Sequence, residues 1–185
     1  MISTRYVAFL RALNVGGHNT VKMEVLRAHF ESMRFTAVET FIASGNVIFE
    51  SRSKDLPALA ATIENSLGKA LGYPVSTFLR TDAEVAAIAQ YQPFPPDAVS
   101  SAAGFWVGFL SAPLTSESIR RAIALKPEMD DFHIHGTEFY WLIRLRQSES
   151  KFSASVLEKA LGIRVTFRGM NTVQKLAAKF PPRQP

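Results

Sequence analysis

The chain opens on an apolar run, Tyr6-Val7-Ala8-Phe9-Leu10, long enough for a strand buried on both faces. Turn formers from Asn14 to Asn19 interrupt it. Val21, Val25, Leu26, Phe30 and Met33 then recur at helical spacing, which predicts a helix over 21–33. Thr40 to Ala43 and Val47 to Phe49 flank Ser44-Gly45-Asn46, the pattern of a hairpin. Leu56, Leu59, Ala60, Ile63, Leu67 and Leu71 mark a second amphipathic helix, stopped by Gly72 and by Pro74. Val75 to Leu79 reads as a strand. Thr81-Asp82-Ala83-Glu84 is a capping box that opens a short helix through Ile88.

Residues 91–103 shift in composition, and Gln92-Pro93-Phe94-Pro95-Pro96 is stiff and poorly helical. The order then repeats. Phe105 to Leu110 is a strand, and Ile119 to Leu125 a helix. Phe132 to His135 and Glu138 to Leu145 form a hairpin about Gly136. Phe152 to Leu161 is a helix ended by Gly162, and Arg164 to Phe167 a strand. A last helix runs through Val173, Leu176, Ala177 and Phe180, with Asn171 as its expected N-cap. The repeat reaches single residues: Leu67-Gly68-Lys69-Ala70-Leu71-Gly72 matches Leu157-Glu158-Lys159-Ala160-Leu161-Gly162 at five of six positions. A small gap then puts Arg80 on Arg168 and Val85 on Val173.

The expected fold is α+β, a tandem duplication of ferredoxin-like βαββαβ halves with antiparallel sheets and helices packed on them. The expected division is residues 1–90, a Pro-rich connection over 91–103, a second half over 104–180 and a frayed tail over 181–185. Consecutive apolar residues in Tyr6 to Leu10 and in Phe139 to Ile143 imply burial on both sheet faces, so the halves are expected to pack on each other.

Composition narrows the chemistry. With no cysteine, disulfides, thiolate catalysis and Cys-ligated zinc are excluded. The start of the chain lacks the pattern of a signal peptide, and no apolar run reaches the roughly 18–20 residues that span a bilayer. A cytoplasmic protein without a membrane partner is the expectation. The net charge of +5 favours phosphates or nucleic acid.

Strand-to-helix junctions carry the candidate ligand-binding residues. Arg11, Asn14, Gly16, Gly17 and Lys22 surround the first one. Glycines there allow close backbone approach, and a helix start favours an anion; a tight capped turn is the competing reading. The spacing is not that of a Walker A loop. Ser44 and Asn46 sit at the hairpin, where a plain turn competes. Arg168, Asn171 and Lys175 form a second junction, where a capped helix with a solvated lysine competes. His133 and His135 share a strand face without a third ligand, so no metal or cofactor is expected. Asp130-Asp131 reads as a strand start in solvent. The aromatic residues read as core rather than as a stacking platform.

Tyr6-Val7-Ala8-Phe9-Leu10-Arg11-Ala12-Leu13-Asn14-Val15-Gly16-Gly17 resembles the opening of the domain-of-unknown-function 1697 family of bacteria. Ser44-Gly45-Asn46-Val47-Ile48-Phe49 is similar to its hairpin. Ser150-Lys151-Phe152, Leu161-Gly162 and Thr166 to Leu176 are similar to its C-terminal segment. Ala12 stands where the family has Gly, and Gly169-Met170 where it has Asn-Trp. The resemblance implies an α+β fold with ferredoxin-like halves and brings no activity. Three functions stay open: binding of a phosphorylated or other anionic small molecule, which is favoured; phosphoryl or acyl hydrolysis or transfer; and RNA binding. Oligomeric state, reaction and catalytic residues are not read from the sequence.

Overall fold

The computed structural model describes residues 3–11, 13, 21–144 and 152–183. It contains β1 (Thr4–Leu10), α1 (Met23–Ser32), β2 (Thr36–Phe41), β3 (Asn46–Ser51), α2 (Leu56–Leu71), β4 (Thr77–Thr81) and α3 (Asp82–Gln90). A one-turn helix α4 (Pro96–Ser100) follows. Then come β5 (Gly104–Phe109), α5 (Ser116–Ala124), β6 (Asp131–His135), β7 (Glu138–Ile143), α6 (Ala154–Leu161), β8 (Thr166–Gly169) and α7 (Met170–Lys179). Two antiparallel sheets result, ordered β2-β3-β1-β4 and β6-β7-β5-β8. This is the expected duplicated βαββαβ plan, with one helix added after each last strand.

The chain divides into two compact units, Met1–Ala86 with Leu176–Pro185, and Ala87–Lys175. Helices α3 and α7 therefore each begin in one unit and end in the other.

In the first unit, Tyr6, Ala8 and Leu10 of β1 and Val47 and Phe49 of β3 join Leu26 and Phe30 of α1 and Leu59, Ile63 and Leu67 of α2 in one core. Burying such side chains stabilises by about 1.5–3 kcal/mol each. The alternate residues Val7, Phe9 and Ile48 are also buried. The second unit repeats this with Leu110, Phe139, Trp141, Ile143, Leu157 and Val165.

Local chemistry explains the boundaries. Asp55 caps α2 by accepting from the Ala58 N–H at 3.0 Å. Gly72 and Gly162 take left-handed φ values of 78° and 66°, which end α2 and α6 at matching places. Both last strands start two residues later than periodicity predicts, at Thr77 and Thr166 rather than Val75 and Arg164. The Thr77 and Val165 N–H groups donate instead to Glu64 and Glu158, each at 2.8 Å. The connection over 91–103 contains α4, because Pro96 at its first turn has a φ already suited to a helix.

Hairpin glycines 45 and 136 are not equivalent. Leu10 N–H donates to Gly45 O at 2.8 Å, and Leu110 N–H donates to Thr137 O at 2.9 Å. Gly45 therefore closes a longer loop, whereas Gly136 opens a two-residue turn.

Candidate functional site

Strand register fixes which residues of the two units correspond. Val7 faces Arg80 and Tyr6 faces Thr81 across β1 and β4. Val107 faces Arg168 and Trp106 faces Gly169 across β5 and β8. Arg80 and Arg168 are thus equivalent, and so are the strand-to-helix junctions that follow them.

The first junction is filled. Thr81 N–H donates to the Glu84 carboxylate at 2.7 Å, and Glu84 N–H donates to Thr81 Oγ1 at 3.2 Å. This is the expected capping box, which covers the start of α3 with a carboxylate. Asp82, beside it, lies 3.9 Å from Arg5 Nη1 and accepts from the Arg183 N–H at 3.3 Å. The Arg183 guanidinium pairs with Glu50. Burial pushes the Glu50 carboxyl up, but the Ser3 hydroxyl, donating at 2.7 Å, together with Arg183 and Arg5, outweighs it and holds the pKa below the usual value. Tyr6 is buried, and its hydroxyl donates to Ser53 O at 2.9 Å.

The second junction is open. Gly169 and Thr172 stand where the repeat has Thr81 and Glu84, so no capping box forms. Met170, Phe105 and Leu142 stand in place of Asp82, Arg5 and Glu50. A groove of about 690 Å³ lies there, between the chain from Ala89 to Pro96, the segment from Val99 to Trp106, and the start of α7 from Gly169 to Gln174. It is lined by Tyr91, Phe94, Phe105 and Trp106 and by Gln90, Gln92, Asn171 and Gln174, and among the described residues no charged one lines it. A Cβ at Gly169 would meet nothing within 4 Å, so the groove is open at the strand end.

Tyr91 and Phe94 cross the sheet face above β5 to β7. Tyr91 stacks on His135 at 4.7 Å, and its hydroxyl lies 2.9 Å from His133 Nε2. Phe94 meets Phe105 edge-on at 5.6 Å. Burial, and secondarily the charge of His135, lowers the His133 pKa. The two histidines do share the edge strand β6. Among the described residues no three acidic, His or Cys side chains are grouped to hold a metal.

The sequence-predicted residues fall into four groups. Asn14, Gly16 and Gly17 lie outside the described residues. Arg11, Ser44 and Asn46 lie at one end of the first sheet, where Arg11 N–H donates to Ser76 O at 2.9 Å. Asn46 is fully buried there, and its amide donates to Phe41 O at 3.1 Å and Ser44 Oγ at 2.8 Å, which closes the turn. Lys22 precedes α1, is exposed, and caps nothing with its side chain.

Arg168, Asn171 and Lys175 belong to the second unit. Arg168 is buried and donates to Thr166 Oγ1 at 2.8 Å and Phe167 O at 2.9 Å. Burial lowers its pKa to about 10, so it stays charged at neutral pH. Asn171 lies within the first turn of α7 rather than at its N-cap, because β8 runs straight into the helix. It is exposed and lines the groove; Lys175, one turn on, is exposed too.

Asp130 is buried rather than solvated: its carboxylate accepts from Trp141 Nε1–H at 2.9 Å and Arg144 N–H at 3.2 Å. Sequence reasoning missed Tyr91, Phe94, Phe105, Trp106 and Gln174 as groove residues. Extending the Arg80–Arg168 alignment by four residues would have exposed the lost capping box.

A ferredoxin-like duplication with one filled and one open junction is the class that fold and site define. The chain belongs to the DUF1697 family, described as protein of unknown function, whose profile matches residues 3–140. The match ends before the part of the groove formed by β8 and α7. The solved structure of the conserved bacterial protein SP0830 from Streptococcus pneumoniae is similar to this chain. Its TM-score is 0.74 at 22% identity, over 97% of this chain and 99% of that one, a likeness that shows the fold. No curated protein matches the sequence. Among the described residues no helix is long and apolar enough to cross a membrane.

Proposed function

We propose that the protein binds a small anionic molecule in the groove at the β8–α7 junction. The groove carries this reading. Its volume of about 690 Å³ falls in the range of small-molecule sites, roughly 300–1,000 Å³. At the equivalent place in the first unit, the Glu84 carboxylate occupies the helix start. The start of α7 has no acidic residue in its first turn. Its first N–H groups lack partners within the helix, and the helix dipole favours a negative group beside them. A carboxylate or phosphate of the ligand takes the part that Glu84 plays in the other half. The net charge of +5 supports the same sign of ligand.

RNA binding is the weaker reading. Phe105 and Tyr140, on the central strands of the second sheet, are met by the chain's own Phe94 and Tyr91 at 5.6 and 5.2 Å.

The test rebuilds the missing cap. Gly169→Thr with Thr172→Glu restores the capping box and puts a carboxylate in the groove. A thermal-shift screen with phosphate, pyrophosphate, small carboxylates and nucleotides is run on wild type and on the double variant. Wild type is stabilised by at least one anion, because a ligand of the native state raises its stability. The double variant melts higher without ligand, by about 1 kcal/mol of cap energy, and no longer responds. No response of wild type at millimolar anion, or the same response in both proteins, sinks the reading.

A further inference from the structure

The two units differ at a second pair of equivalent positions, where an edge strand begins and the strand beside it ends. In the second unit Asp131, the first residue of β6, faces Leu142, and Arg144 lies two residues beyond Leu142. Arg144 Nη2 pairs with Asp131 Oδ2 at 3.0 Å, and its Nη1–H donates to Ala98 O at 3.0 Å. Lys126, the residue after the C-cap of α5, donates through Nζ to Asp130 O at 2.7 Å. Both cations are thus taken up by the chain itself.

In the first unit Thr36 faces Glu50, the counterpart of Leu142. Thr36 therefore stands where Asp131 stands, and Arg52 where Arg144 does. Arg34 follows the C-cap of α1 as Lys126 follows that of α5. Both Arg34 and Arg52 are exposed, and neither has a side-chain hydrogen bond or ion pair among the described residues. With Thr36 they line a pocket of about 540 Å³. Among the described residues Glu50 is the one acid that lines it, and Ser3 and Arg183 already bind that carboxylate. Arg34 also holds a left-handed φ of 65°, a conformation that favours glycine.

We propose that this pocket docks an acidic segment of another protein, whose carboxylate takes the place beside Arg52 that Asp131 takes beside Arg144. Charge selects the partner. A lone small anion gains too little there, because water and salt screen an exposed ion pair. A segment with several carboxylates engages Arg34 and Arg52 together, with exposed Lys54 two residues further on.

Fluorescence anisotropy with the full chain tests this using labelled hexa-aspartate, hexa-asparagine and hexa-uridylate. Hexa-aspartate binds with an affinity that falls as salt rises, and hexa-asparagine does not bind. Arg52→Gln weakens hexa-aspartate about fivefold, as loss of one charged contact requires. Thr36→Asp, which rebuilds the ion pair of the second unit, weakens it at least as much, and the neutral Thr36→Asn leaves it unchanged. Arg34→Gly melts higher, because glycine suits that φ, yet binds more weakly; a merely structural role would not move the two in opposite directions. Arg120→Gln removes the same charge from an exposed place on α5 and has little effect. Equal losses in Arg120→Gln and Arg52→Gln reduce the binding to the net charge of the chain and overturn the proposal. No binding of hexa-aspartate to wild type, or unchanged binding in Thr36→Asp, overturns it too. Hexa-uridylate that binds tighter than hexa-aspartate and depends on Arg52 would assign the pocket to nucleic acid instead. Gly169→Thr/Thr172→Glu leaves hexa-aspartate binding intact, so this pocket and the groove stand or fall separately.

Discussion

The same strand-to-helix junction occurs twice in this chain and is finished in two ways. After β4, Thr81, Asp82 and Glu84 cap the helix, and Arg5, Glu50 and Arg183 fill the space with paired charge. After β8, Gly169, Met170 and Thr172 hold the same places, Phe105 and Leu142 replace the ions, and a groove remains. A duplicated fold needs each half to fold, but only one half needs an open end. The half without the cap and the ion pairs is the half with the groove.

The comparison breaks most visibly at Tyr6 and its counterpart Trp106. Tyr6 is buried and hydrogen-bonded, so Tyr6→Ala costs roughly 3–5 kcal/mol in urea unfolding. Trp106→Phe keeps an aromatic ring, though a smaller one, at a partly buried position and loses a donor, so it costs about 1–2 kcal/mol. Equal losses for Trp106→Phe and Tyr6→Phe, the matched removal of one polar group, would show that the two positions are finished alike.

Next in size is the ion cluster. Glu50→Gln removes the carboxylate that Arg183 and Ser3 bind and costs about 1–2 kcal/mol, a value reduced because Arg183 is half exposed. Its pH dependence has a definite sign. The folded pKa lies below the ordinary 4.5, so the contribution is present above 4.5 and disappears as pH falls through the lowered value. Wild type and Glu50→Gln therefore differ in melting temperature at neutral pH and converge in acid. A constant gap would remove Glu50 from the cluster's energetics. The corresponding change in the second unit, Leu142→Val, is expected to show no such pH dependence.

The smallest effect lies where each added helix ends. Lys179 pairs with Glu39 at 3.3 Å in the first unit, and Tyr91 meets His133 at 2.9 Å in the second. Register makes Glu39 and His133 equivalent, since they face Ile48 and Tyr140, which face Val7 and Val107. His133, with Tyr91, Phe94, Tyr140 and His135 around it, has a folded pKa below 6.5. The folded state thus resists its proton. This stability is complete above pH 6.5 and falls as pH drops from there through the folded value. Calorimetry from about pH 7 to pH 5 shows a decline in wild type that His133→Gln flattens. An identical decline in both proteins would assign it to another group.

Much of this was legible before any coordinates. Hydrophobic period placed the helices, Gly72 and Gly162 ended two of them, and Thr81 with Glu84 signalled a cap that the structure contains. The groove was not legible, for a physical reason. Phe105 and Trp106 lie in an apolar strand and look like core, and exposure at a strand end depends on where the neighbouring strand stops. β8 stops at Gly169, opposite Trp106, and only the register shows that. Asp130 misled in the other direction. A carboxylate at a strand start usually faces water, but this one serves a buried indole eleven residues away.

The two indole N–H groups supply the most direct test. With two tryptophans in the chain, a ¹H–¹⁵N spectrum of the full protein shows two indole peaks. Titration with the anions of the thermal-shift screen is predicted to move the Trp106 peak and leave the Trp141 peak, already bonded to Asp130, in place. If the Trp106 peak stays fixed up to millimolar anion, or both peaks move together, the groove is not the binding site and the contrast between the two junctions has no functional meaning.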